Sequence, residues 1–143
     1  MRNSVLVFVV GLMVAADEAS KKDLDQLQGT WTLVSEERDG KKLPGEEVKK
    51  TKITFTGDKF PDTSGIGTSR NGVIKIDPTK TPKWMNSTAT DDAGKGKASM
   101  GIYEIKGDDY KVCFSPPGKD RPTEFASKQG SGIILQVWRR ERK

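Results

Sequence analysis

The chain has 143 residues, with 25 Lys plus Arg against 20 Asp plus Glu, one cysteine and no histidine. That length fits one domain. Without histidine there is no Ser-His-Asp or Cys-His nucleophilic system and no His-based metal site; one cysteine makes neither a Cys-rich zinc site nor an internal disulfide. The small basic excess is mixed with acids, as in "SEERDGKKLPGEEVKK", the composition of a solvated surface. The basic cluster "RRERK" at the C-terminus is too short a footprint for nucleic acid, and no nucleic-acid partner is expected.

The chain opens on "MRNSVLVFVVGLMVAADEAS". Arg2, the apolar run Val5 through Val14 and the small residues Val14-Ala15-Ala16 make a signal-peptide pattern over residues 1–16. Coiled as a helix, the apolar run would reach about 15 Å, roughly half of a bilayer's hydrocarbon core. The expected product is exported, periplasmic or extracellular, with no membrane span in the mature form. A short linker is expected over 17–23, one domain over 24–140 and a basic tail over 141–143.

Helical signals are short. "KKDLDQLQ" places Leu24 and Leu27 at i, i+3 and predicts one turn, and "PGEEVKK", 44–50, predicts another. The rest reads as strand and turn, with strands predicted over 30–38, 51–56, 72–77, 83–88, 98–106, 109–115, 123–127 and 132–140. "ITFTGDKF" and "YEIKGDDYKV" each set Gly-Asp between alternating apolar residues, the pattern of a two-residue hairpin. In "FPDTSGIGTSRNG", 60–72, Pro61 argues against a central strand, leaving an edge strand, a bulge or a loop.

About eight short strands without crossover helices predict an all-β antiparallel meander, closed into a barrel so that no edge is left. A β-sandwich is the main alternative, disfavoured because nearly every link is too short for a Greek-key connection. Period-two alternation sets Tyr110, Val112 and Phe114 on one face and Lys111, Cys113 and Ser115 on the other, which puts Cys113 outside. The residues expected inside are Phe55, Ile74, Ile76, Val112, Phe114 and Leu135. Glu104 shares a face with Met100 and Ile102, and points inward if that face is the inner one.

Gly-Thr-Trp at 29–31, after a leucine-bearing turn and opening the first strand, resembles the Gly-x-Trp signature of lipocalins. That resemblance implies that Trp31 closes the barrel's base, with an arginine from the last strand, Arg139 or Arg140, packed across it. The segments "LQGTWTLVSEERDGKKLP", "IDPTKTPK" and "PPGKDRPTEFASKQGSG" further resemble a functionally uncharacterised exported domain recurrent in planctomycete bacteria. This likeness spans about 24–139 and implies a lipocalin-like barrel and export, but no activity, ligand or catalytic residue.

Other chemistry is scarce. "DDAG" lacks the spaced oxygens of a calcium loop, "GIGTSR" breaks the dinucleotide fingerprint, and "GKGK" is not a P-loop. "NST" at 86–88 matches a glycosylation acceptor, relevant only to a eukaryotic source. Glu36/Glu37, Glu46/Glu47 and Asp108/Asp109 are sequence neighbours, so in strands they diverge to opposite faces and in turns they are solvated. The expected function is therefore a non-enzymatic, monomeric module that binds a small apolar or amphipathic molecule, without metal or cofactor. The alternative is an envelope interaction or structural module with a filled barrel, working through loops such as "PPGKDRPTE" and "FPDTSGIGTSRNG".

Overall fold

The computed structural model describes residues 17–60, 71–91 and 95–142. The predicted signal peptide, 1–16, and residues 61–70 of the stretch beginning at Phe60 lie outside them. Residues 17–27 form helix α1, longer than the predicted single turn and taking in the expected linker. Nine strands follow among the described residues: β1 (Gly29–Arg38), β2 (Lys41–Lys42), β3 (Lys52–Phe55), β4 (Lys59–Phe60), β5 (Gly72–Asp77), β6 (Lys83–Ala89), β7 (Ala98–Lys106), β8 (Asp109–Phe114) and β9 (Ile134–Arg140). A short helix α2 (Gly45–Val48) separates β2 from β3. No helix among the described residues is long and apolar enough to cross a membrane.

All pairings are antiparallel, and the strands make one curled, barrel-like sheet in the order β2-β1-β9-β8-β7-β6-β5-β4, with β3 also on β1. The two Gly-Asp hairpins form as predicted. Thr56 and Lys59 exchange backbone hydrogen bonds of 2.8 and 3.1 Å around Gly57-Asp58, and Lys106 pairs with Asp109 around Gly107-Asp108. Gly57 and Gly107 hold φ of +62° and +59°, a region where a Cβ is strained.

The predicted strand over 123–127 does not form. Residues 115–133 instead run as an irregular segment between β8 and β9. Pro116, Pro117 and Pro122 donate no backbone N–H, and two of the segment's hydroxyls close hydrogen bonds within it. Ser115 Oγ donates to Asp120 O at 2.5 Å, and Ser127 Oγ donates to Ile133 O at 2.6 Å. Apolar alternation in "TEFAS" imitates a strand without a neighbouring strand to pair with.

The core lies on the inner face of the sheet: Trp31, Leu33, Phe55, Phe60, Ile74, Met85, Tyr103, Tyr110, Val112 and Trp138, with Leu27 of α1 and Val48 of α2 in the same cluster. Rings of Trp31, Tyr110, Phe55 and Phe60 meet edge to face at centroid distances of 5.6 to 6.4 Å, the favoured aromatic geometry. Gly101 is required by its neighbours, because a Cβ there would lie 2.6 Å from the Cys113 carbonyl and 2.5 Å from the Phe114 ring. The sheet thus has two ends. One is covered by α1 with the turns at 57–58 and 107–108. The other gathers the turn at 39–40 and the two ends of the 115–133 segment, where Gly132 N donates to Asp39 Oδ1 at 2.8 Å.

Candidate functional site

At the helix end, Trp31 is fully buried. Its Nε1 donates to Leu27 O at 2.8 Å, and the Arg140 guanidinium lies 4.2 Å from its ring centroid. Arg140 also donates to Gln28 O at 2.6 Å and to Gln26 O, caps the last turn of α1 and pairs with Asp108 at 3.3 Å. A cation over an indole face contributes about 1 kcal/mol, and the arginine stem covers apolar surface. Gly29 holds φ +109° where a Cβ would sit 3.6 Å from Arg140 Nη1. Arg139 points the other way, to Asp109 on the surface at 3.3 Å. The sequence offered two arginines for Trp31, and strand alternation selects Arg140. Of the expected basic tail, Glu141 pairs with Lys52 at 3.1 Å and Arg142 pairs with Asp108, whose carboxyl it holds below the usual range, while Lys143 lies outside the described residues.

The opposite end carries a polar group that the sequence reading missed. In β1 the register slips between Leu33, opposite Trp138, and Ser35, opposite Val137. The extra residue, Val34, is exposed. A bulge of this kind exchanges the faces beyond it. Trp31 and Leu33 face inward before it, and Glu36 and Arg38 face inward after it. Glu36 is 2% exposed. Its Oε1 accepts from Gln136 Nε2 at 2.5 Å and its Oε2 from Arg38 Nη2 at 3.1 Å. Gln136 Oε1 in turn accepts from Trp138 Nε1 at 3.2 Å. The Arg38 side chain is 37% exposed, so it runs from the interior to solvent. Unbroken alternation would have set Glu36 outside with Thr30 and Thr32.

A third polar group fastens α1 to the sheet. Asp23 Oδ2 accepts from Tyr103 Oη at 2.7 Å and from Lys83 Nζ at 2.8 Å. Burial, and then the bond to the Asp23 carboxylate, push the Tyr103 phenol well above its ordinary 10. Burial alone does the same for Tyr110, whose hydroxyl lies 3.3 Å from Met85 Sδ. These are the only tyrosines of the chain. The folded state binds protons that the unfolded chain releases near pH 10, so their stabilising contribution is complete below that pH and declines as pH rises above it. Absorbance at 295 nm is expected to stay flat past pH 11 and to rise only together with the loss of β circular dichroism. A separate tyrosine titration near pH 10 in folded protein would sink this reading.

The expected interior residues divide. Phe55, Ile74 and Val112 are buried in the core, and Ile76 and Phe114 are partly buried against it. Leu135 lies on the other face, opposite Cys113 and Glu37. Glu104 is also outside: Tyr103 takes the inner face of β7, and Glu104 pairs with Lys106 at 3.0 Å on the surface. Cys113 is on the outer face as expected, yet fully buried. The 115–133 segment covers it, with Cys113 Sγ 3.5 Å from Ala126 O, and burial raises its thiol pKa. Outside also lies Trp84, flanked by Arg121 at 4.3 Å and Lys80 at 4.7 Å from its ring. Among the described residues no group of three or more His, Cys, Asp or Glu could hold a metal ion. Comparison with family models, with curated proteins and with solved structures gives no match for this chain.

Proposed function

We propose that the sheet closes into a lipocalin-like barrel and that the chain is an exported, monomeric, non-enzymatic module binding a small apolar or amphipathic molecule inside it. Strand pairing supports closure. From β1 it passes through β9, β8, β7, β6, β5 and β4, crosses the Thr56–Lys59 bridge to β3, and returns to β1. The signal-peptide pattern over residues 1–16 supports export.

One observation carries the binding reading: Glu36, Arg38 and Gln136 face the interior at the end away from α1. Ligand sites are apolar enclosures with a few convergent polar groups, and Val112 and Phe114 on β8 supply adjacent apolar wall. Bulges recur where a fold re-aims a side chain beside a site, and here the β1 bulge is what brings Glu36 in. The aromatic cluster at the helix end favours the second reading, a filled barrel that works through its loops. An eight-stranded barrel is near the size at which either holds.

Native mass spectrometry of the protein, purified gently from an exporting host, separates the two. The expected result is a reproducible extra mass that is lost on denaturation. A bare mass, together with no apolar probe binding below about 10 μM, would leave the filled barrel and direct attention to partner capture.

A further inference from the structure

Resting on that binding reading, we infer that the bound molecule carries an oxyanion head, a carboxylate, phosphate or sulfate, held by Arg38. The inward polar groups are unequally satisfied. Both Glu36 oxygens are occupied, one by Gln136 and one by Arg38, and Gln136 both donates to Glu36 and accepts from Trp138. Arg38 is the exception. Its Nη2 serves Glu36, but its Nε is shielded from solvent and has no hydrogen-bond partner among the described residues. A buried N–H left unpaired is costly, and more so on a charged group.

The chemistry of the missing partner follows from the donor. A guanidinium offers parallel N–H donors in a rigid plane that fit the two oxygens of a carboxylate, phosphate or sulfate. A purely apolar molecule would leave Nε as it is. A cationic head would meet the Arg38 charge while the Glu36 oxygens are already engaged. Position agrees with this assignment, since Arg38 is the last residue of β1 and partly exposed. A head group at Arg38 lies at the opening and lets a tail run inward along Val112 and Phe114. The same end presents exposed Lys41 and Lys42 of β2 and Lys95 and Lys97 before β7, alongside the acids Asp39 and Asp91.

The test titrates the full chain, below the micelle concentration, with dodecanoate, dodecyl phosphate, dodecyl sulfate and dodecanol, reading calorimetry and tryptophan emission. All three anions, or the one of matching head geometry, are expected to bind at least about tenfold tighter than dodecanol. Arg38→Gln is expected to erase that gap, read as the ratio of anion to dodecanol affinity within the same variant. Arg38→Lys keeps the charge but loses the planar fork, so it should recover part of the gap. A urea midpoint for each variant shows that it is folded. Equal binding of dodecanol and the anions would overturn the oxyanion head and leave the barrel-binding reading standing. A preference that survives Arg38→Gln but falls with Lys41→Gln and Lys42→Gln would overturn the assignment to Arg38. No binding of any of the four, with a bare native mass, would overturn both readings.

Discussion

Replacing Trp31 with alanine is expected to lower folding stability by about 3–5 kcal/mol, the largest effect of any single side chain here. The indole is fully buried and packs edge to face on Tyr110 at 5.6 Å. Its removal also leaves the Leu27 carbonyl without its donor and the Arg140 guanidinium beside a void. A domain of this size typically has about 5–15 kcal/mol in all, so the variant should stand near its unfolding midpoint under mild conditions. Urea unfolding followed by circular dichroism measures it, as a lower midpoint with an unchanged slope. Trp31→Phe keeps most of the ring but loses the N–H donor, and should cost clearly less. A loss below about 1 kcal/mol for the alanine variant, within the range of ordinary surface changes, would show that the Trp31–Arg140 pair does not organise this end.

The second large effect is expected at Asp23. Asp23→Ala removes the acceptor of the buried Tyr103 hydroxyl and the partner of Lys83. Stranding a buried hydroxyl costs about 1–3 kcal/mol. Lys83 adds little, because its side chain is 39% exposed and water replaces the carboxylate. The total of about 2–3 kcal/mol should be accompanied by earlier exchange of the α1 amides, since Asp23 is the polar tie between that helix and β6 and β7. The decisive comparison is the double variant Asp23→Ala with Tyr103→Phe. Removing both partners deletes the stranded group, so the double variant should be more stable than the sum of the singles implies, by about 1 kcal/mol or more. Strict additivity would mean that the short Tyr103–Asp23 bond contributes nothing of its own.

Local signals carried much of the architecture. Seven of the predicted strands form, two of them, 72–77 and 98–106, with the predicted bounds. Both Gly-Asp hairpins are present. These succeed because alternation and turn chemistry are properties of a few adjacent residues. The two-residue strand Lys41–Lys42 spans a single strand period and leaves no alternation to read, whereas Lys59–Phe60 was legible only through the Gly57-Asp58 turn. The extra length of α1 was missed because only Leu24 and Leu27 mark a face. Its third anchor is the polar Asp23, whose partners lie 60 and 80 residues away.

The inner and outer faces show the division most clearly. Alternation placed Tyr110, Val112 and Phe114 together and Cys113 opposite them, and the structure agrees. Alternation cannot say which face of β7 is inside, because both Met100-Ile102-Glu104 and Gly101-Tyr103-Ile105 contain apolar residues. Pairing with β8 decides it: Tyr103 stands opposite Val112 and Glu104 opposite Lys111. Leu135 follows the same rule on β9, where Gln136 and Trp138 take the interior. Cys113 was read as outward among polar residues. Its burial depends on the 115–133 segment folding back over that face.

Sequence alone therefore determined where seven of the strands and both Gly-Asp turns fall. Those properties depend on side-chain type at short range. Tertiary structure decided which residues face inward beyond the β1 bulge, and with them the Glu36–Arg38–Gln136 group on which the binding reading rests. A single extra residue in one strand inverts every later side chain, and it becomes visible only in the register against the strand it pairs with.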